Sequence, residues 1–286
     1  MTPGYTRRVP SHRIAENLAF INWTILAALG LGAFAAVVLA RWRTDATRGY
    51  LAFTSACATG FALLAYLSDS ALPTVSGGTA AVAIDPAWDA PRRACLLAFT
   101  ILAAVYTVTL ARGGRAIWLG LLGVASGVGV FVVGAFGWGG GFPTPVALIG
   151  QSLLLAAATG GVFAAMILGH WYLVTPKLPE GPLILFARLL LAIVALQLAF
   201  FVGSLALGGG SGGAPFSPMV GPWALYLWLY LIVGLIFPLV VSWAAVQTAR
   251  SRSMESATGL LYINVGTIAA ATIVAAGLYF GAGLLV

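Results

Sequence analysis

A short segment of the chain, Gly161–Pro176, carries the residues best suited to binding a cofactor. His170, Trp171 and Tyr172 follow one another at the end of a long apolar run, and His170 is the only histidine beyond the N-terminal arm. A neutral imidazole can donate a hydrogen bond to a quinone carbonyl, or it can ligate haem iron. Indole and phenol rings can stack on a flat ring system. The segment therefore predicts a site for quinone, or less readily for haem b.

An earlier stretch of the chain resembles this segment. Shifting the sequence by 129 positions gives 9 identities in the 17 positions of Leu26–Trp42, with Arg41 aligned to His170 and Trp42 to Trp171. Arginines near both stretches are suited to holding a propionate or a lipid phosphate, and Lys177 follows the second stretch. The candidate cofactor-binding residues are His170, Trp171, Tyr172, Lys177, Arg188, Arg41, Trp42 and Arg48.

Other interpretations of the polar residues stay open. A single histidine in an apolar run argues against bis-histidine haem ligation, unless His12 or a partner subunit supplies the second ligand. His170 and Trp171 also fit ordinary interface residues, with the nearby bases serving only to set topology. A second candidate is Asp69 with Asp85, Trp88 and Asp89, which also fits a solvated loop.

The composition predicts a membrane protein. Hydrophobic residues make up 61% of the 286 positions, charged residues make up 7%, and the mean hydropathy is +1.02. A soluble domain is excluded, because such domains carry about 25% charged residues. The net charge of +7 is spread over short clusters between apolar runs. It predicts basic loops beside anionic lipid, with membrane and structural lipids as partners, and no nucleic-acid surface. Cys57 and Cys95 are expected to be free thiols.

Apolar runs separated by polar connections predict about eight transmembrane helices after a polar arm at residues 1–15. Each run is long enough to cross roughly 30 Å of hydrocarbon. Paired glycines inside the runs are typical of close helix contacts in lipid. Tryptophans near the predicted ends, among them Trp23 and Trp138, are typical of interfacial belts. The predicted spans are 16–39, Gly49–Leu67, Arg93–Leu110, Ala116–Trp138, Pro145–Leu173, Leu183–Leu207, Trp223–Ala249 and Ala257–Val286.

Further matches predict that the chain is built twice. The segment after Arg48 resembles that after Arg188, and Ala111-Arg112 resembles Ala249-Arg250, in the same order as the first match. The predicted fold is therefore an all-α polytopic integral membrane protein made of two tandem four-helix units, residues 16–141 and 142–286. An even number of spans in each unit gives both copies the same orientation.

The distribution of basic residues predicts the orientation. The connections after the first, third, fifth and seventh spans, with the adjoining helix ends, hold nine bases, and the opposite side holds five. Because cytoplasmic loops are enriched in lysine and arginine, both termini are expected outside a cytoplasmic membrane, most naturally a bacterial one.

The residue types narrow the function without naming it. The predicted spans hold no mid-depth acid and no lysine placed for a Schiff base, so we expect no catalysis by the isolated chain. The leading hypothesis is a membrane subunit of a respiratory or photosynthetic electron-transfer complex. It would bind quinone near the cytoplasmic end of the fifth span and contact partner subunits in the membrane or at the outer face. The alternatives are a transporter or channel for a small neutral or anionic solute, and a purely structural, lipid-contacting subunit.

Overall fold

The described part of the chain is a bundle of long helices. A computed structural model describes residues 10–73, 81–175, 178–209 and 213–286, and within these ranges it contains helices and connections but no strands. Eight of its helical segments are long and apolar enough to cross a membrane. The prediction of an all-α polytopic membrane protein with about eight spans is confirmed.

The seventh span combines two α-helices with a π-helical turn between them, at Tyr230–Ile236. The α-helices are α1 (Pro10–Glu16), α2 (Leu18–Arg43), α3 (Arg48–Asp69), α4 (Asp89–Ala111), α5 (Ile117–Trp138), α6 (Thr144–Val174), α7 (Gly181–Ala206), α8 (Ala224–Leu229), α9 (Phe237–Arg250) and α10 (Met254–Ala282). We call the end of the bundle where α2 and α6 finish the basic end. The other end is the opposite end.

Both ends of the chain depart from the predicted elements. The described part of the polar arm forms α1, which contacts α10. The last helix stops at Ala282 because Gly283 adopts a left-handed conformation with φ of 70°, which glycine tolerates without steric cost. The final residues then turn back into the bundle, where the Val286 amide donates to the Gln151 side chain at 3.0 Å.

The two halves meet in a pattern that a two-fold axis would produce. α2 lies along α6 at the centre of the bundle, while α5 contacts α6 and α10 contacts α2. Within each half the same order of neighbours recurs, with α2 beside α3 and α6 beside α7. The tandem repeat stays a prediction, and this arrangement is the one that it requires.

The central crossing depends on two glycines. A Cβ atom added to Gly32 would lie 1.8 Å from the Ala156 carbonyl oxygen, and one added to Gly160 would lie 2.2 Å from the Ala33 nitrogen. The backbones of α2 and α6 are therefore in direct contact at mid-depth. This contact closes the interface between the two halves at the level of the crossing.

The contacts between helices favour an alignment of the two halves that differs by one residue from the alignment with the most identities. Identities align Phe34 with Phe163, but Phe34 packs on Phe99 and Tyr106 of α4, whereas Phe163 faces Phe61 of α3. A shift of 128 instead pairs Gly32 with Gly160, which meet at the crossing. Alanine-rich helices match at several neighbouring registers, so side-chain contacts are needed to choose between them.

Two of the tryptophans assigned to interfacial belts lie in the core. Trp23 and Trp138 are 1% and 6% exposed, and their rings meet edge to face with centroids 5.1 Å apart. Trp42 and Trp118, by contrast, are 62% and 76% exposed near the basic end. A tryptophan near a helix end thus marks a belt only when its side of the helix faces lipid.

Candidate functional site

His170 lies exposed at the basic end of α6. Its Nδ1 atom is 3.3 Å from the hydroxyl oxygen of Tyr262 on α10. His12 lies in α1, which contacts the far end of α10 through a hydrogen bond from Arg13 to the Gly281 carbonyl. Residues 262 and 281 of α10 are separated by roughly 28 Å along the helix. His12 therefore cannot be the second ligand of a haem held by His170.

Trp171 and Tyr172 join α6 to neighbouring segments. Trp171 packs on the first turn of α3, where a Cβ atom on Gly49 would lie 2.7 Å from its ring, and its ring faces that of Phe53. The Tyr172 hydroxyl donates to the Pro179 carbonyl in the connection to α7. The two halves of the chain therefore do meet beside His170, through Trp171.

The candidate bases occupy separate places. Arg41 and Trp42 line an open cleft of about 490 Å³ at the basic end, together with Arg43 and Arg115. Arg48 Nη2 donates to the Ala111 carbonyl and so caps the end of α4. Arg188 is exposed on α7, on the side that helical periodicity places away from Phe186 and Leu190. Lys177 lies outside the described residues.

The seven candidate residues that the structure describes thus do not form a single pocket. Among the described residues, no group of three or more His, Cys, Asp and Glu side chains is placed to hold a metal ion. Cys57 and Cys95 are free thiols, as expected.

The strongest candidate site is an apolar crevice between α2, α6 and α7. Its volume is about 200 Å³. Gly161 forms part of its wall, and a Cβ atom added there would meet nothing within 4 Å. Gly161 and His170 are nine positions apart and so lie on opposite sides of α6. The crevice is lined by Gly32, Ala35, Ala36, Leu39, Ala157, Gly161, Phe186, Leu189, Leu190 and Ile193.

In the predicted repeat, the crevice lies where one half carries smaller side chains than the other. Its counterpart in the other half is the contact between α3 and α6, which is filled by aromatic residues. With shifts of 128 for α2 and 140 for α3, the replacements are Ala35 for Phe163, Arg43 for Trp171, Leu190 for Tyr50 and Ile193 for Phe53. Because the junction of α2 and α7 has fewer aromatic ring atoms than that of α3 and α6, it is incompletely filled.

The pair α6 and α7 is also more open than α2 and α3. Between α2 and α3, Gly30 lies against Ala58 and Ala62, and a Cβ atom added to Gly30 would lie only 3.1 Å from the Ala62 nitrogen. A shift of 140 puts Leu198 and Val202 at the positions of these alanines. Larger side chains keep helix backbones apart.

Near the opposite end, a second apolar groove of about 630 Å³ lies between α6 and α7, bounded by Ala147, Phe200 and Gly203.

An aromatic and a cationic side chain, Trp42 and Arg43, follow the crevice-lining part of α2, although neither lines the crevice itself. Gly32, Ala36 and Leu39 form a stripe along α2 that helical periodicity continues to Arg43. The Arg43 guanidinium carbon lies 4.2 Å from the centre of the Trp42 ring. An apolar crevice with a guanidinium and an indole about one turn beyond it on the same helix is suited to a ligand with a long apolar tail and a polar ring.

A buried ion cluster at the opposite end corrects the second sequence-based candidate. Arg92 is 2% exposed, and its Nε and Nη1 donate to Asp69 at 3.0 Å and to Asp89 at 2.7 Å. The guanidinium carbon also lies 4.8 Å from the Trp138 ring centre and 5.8 Å from that of Trp23. Asp69 is therefore not in a solvated loop. The cluster joins α3 and α4 to α2 and α5.

Sequence reasoning missed Arg92 because it placed this residue in a connection. The helix was predicted to begin after Pro91, at Arg93, but α4 begins at Asp89. Proline is tolerated in the first turn of a helix, where its missing N–H has no intrahelical acceptor. The spacing of Asp89 and Arg92 by three residues was the available signal.

Comparison of the chain with models of protein families, with curated proteins and with solved structures gave no match. The geometry of the described residues provides the candidate sites, which are the crevice between α2, α6 and α7, the basic cleft at the end of α2, and the ion cluster around Arg92.

Proposed function

We propose that the chain is an integral membrane subunit of an electron-transfer assembly that takes an isoprenoid quinone from the bilayer into the crevice between α2, α6 and α7. The observation that supports this most is the crevice itself, an apolar space of about 200 Å³ in the membrane-spanning part of the bundle. Because the surrounding lipid is as apolar as the crevice, van der Waals contacts with the lining side chains would hold the isoprenoid tail there.

In this proposal the quinone ring lies at the basic end of the crevice. Arg43 donates to a carbonyl oxygen, and Trp42 offers the ring face that Arg43 does not cover. A bound quinone would carry electrons and protons, and the proposal places the electron donor in a partner subunit. The chain's own residues would position the ring and shield the tail.

The test is the quinone content of the purified protein and of two leucine variants. Gly161→Leu fills the crevice at a position where added atoms meet no neighbour, and Gly259→Leu is its control. Gly259 is exposed on α10, has equal space around it and does not line the crevice. Both substitutions raise helix propensity, by about 1 kcal/mol, so neither should impair folding.

Mass spectrometry of an organic extract should find about one quinone per chain in the wild type and in Gly259→Leu. Gly161→Leu should retain at most about a tenth of it, the loss expected from roughly 1.4 kcal/mol of lost contact. Equal quinone in all three proteins, or none in material that keeps its native partners, would refute the proposal.

A further inference from the structure

We propose that the cleft at the basic end is a binding site for a phosphate group, supplied either by the headgroup of an anionic phospholipid or by a soluble phosphate. The cleft has a volume of about 490 Å³ and lies between the end of α2 and the start of α5. Arg41, Arg43 and Arg115 contribute three guanidinium groups to its wall, which Thr44 also lines, with its hydroxyl donating to the Ala40 carbonyl at 2.7 Å.

The charges in the cleft are unbalanced. Asp45 is the only acid in its wall, against three arginines. Among the described residues, no ion pair within 4.0 Å joins any of these arginines to a carboxylate. Elsewhere at the same end Arg252 is paired with Glu180 at 2.7 Å. Three guanidiniums converging on a concave surface repel one another, and an anion bound between them relieves that repulsion.

The donor set favours phosphate over other anions. Arginine presents a planar fork of N–H groups that matches two phosphate oxygens at once. The cleft opens at the end of the spans, the depth at which lipid headgroups lie, and basic pockets there bind anionic headgroups. Three guanidiniums can together surround the three or four oxygens of a phosphate, whereas a carboxylate has only two.

This inference does not depend on the quinone proposal. Trp42 and Arg43 line the cleft as well and are shared by the two proposals, whereas Arg41 and Arg115 belong to the phosphate proposal alone. Loss of phosphate binding in an Arg115 variant with normal quinone content would separate the two sites. The reverse result is expected for Gly161→Leu.

The experiment measures apparent dissociation constants from thermal-shift titrations of the full chain in phosphatidylcholine nanodiscs. One arm raises the fraction of phosphatidylglycerol, and the other adds inorganic phosphate at constant ionic strength. The variants are Arg115→Gln and the control Arg112→Gln. Arg112 is exposed in the same connection but does not line the cleft.

Arg115→Gln should weaken binding about tenfold, the loss expected for one charge-assisted hydrogen bond, while Arg112→Gln should bind as the wild type does. A response to phosphatidylglycerol alone identifies the lipid headgroup as the source, and a response to inorganic phosphate identifies a soluble ligand. If neither ligand shifts the midpoint, or if both variants respond alike, the site does not exist.

Discussion

Arg92 illustrates, at the scale of single residues, how a membrane bundle accommodates a buried charge. Its guanidinium donates to Asp69 and Asp89 and lies near the rings of Trp23 and Trp138. A guanidinium in a low-dielectric interior is costly unless it is paired and hydrogen-bonded. The cluster meets both conditions, and it ties four helices together at the opposite end.

Replacing Arg92 should therefore cost more stability than replacing the arginine that follows it. Arg92→Met leaves the buried Asp69 carboxylate without its partner, and the expected loss is about 3–5 kcal/mol. Arg93→Met removes only a partly exposed contact with the Tyr66 ring and should cost less than about 1 kcal/mol. Unfolding in mixed micelles measures both values, and equal losses would show that the cluster adds nothing.

At the scale of elements, the sequence predicts where the helices are but not how they are turned. Apolar runs ended by polar connections placed the eight spans within a few residues, because length and hydropathy alone decide whether a segment can cross a bilayer. The rotation of each helix depends on contacts with distant segments. For that reason Phe163 was aligned with Phe34, although it faces α3.

Two adjacent glycines of α6, Gly160 and Gly161, test how this helix is rotated against α2. Gly160→Val puts atoms into the backbone of α2, where even a Cβ atom would approach to 2.2 Å. It should reduce the yield of folded protein several-fold, since overpacking costs about 1–3 kcal/mol or more. Gly161→Val points its atoms into the crevice and should leave the yield unchanged. Size-exclusion chromatography in mild detergent measures both, and a tolerated Gly160→Val would contradict the close crossing.

At the scale of the whole molecule, charge separates the two ends of the bundle. The described residues of the basic end include Arg41, Arg43, Arg48, Arg112, Arg115, Arg188, Arg250 and Arg252, with the acids Asp45, Glu180 and Glu255. The described residues of the opposite end include Arg13, Arg92 and Arg93, with the acids Glu16, Asp69, Asp85 and Asp89. The positive-inside rule then predicts that the basic end faces the cytoplasm.

Cysteine labelling in intact cells tests this orientation. In a background of Cys57→Ala and Cys95→Ala, a cysteine replaces either Ala116 near the basic end or Gly141 near the opposite end, both of which are exposed. A membrane-impermeant maleimide should label the Gly141 variant and should reach the Ala116 variant only after lysis. The reverse pattern would place both termini in the cytoplasm.

The candidate site was only partly accessible to sequence reasoning. Trp42 and Arg41, two of the binding residues predicted from the sequence, line the basic cleft, and their role in binding stays a prediction. The crevice was not foreseen, since it arises from pairs of positions in two halves that differ in volume, such as Ala35 and Phe163. Such a void is visible only when both junctions can be compared.

The proposal that the crevice between α2, α6 and α7 receives the tail of a quinone is tested most directly by photo-crosslinking. A quinone that carries a diazirine on its tail is crosslinked to the protein, and the labelled peptides are mapped. We expect label on residues that line the crevice, such as Leu39 and Ile193, and loss of label with excess unmodified quinone or with Gly161→Leu. Label spread evenly over the lipid-facing surface, or label that excess quinone does not displace, would contradict it.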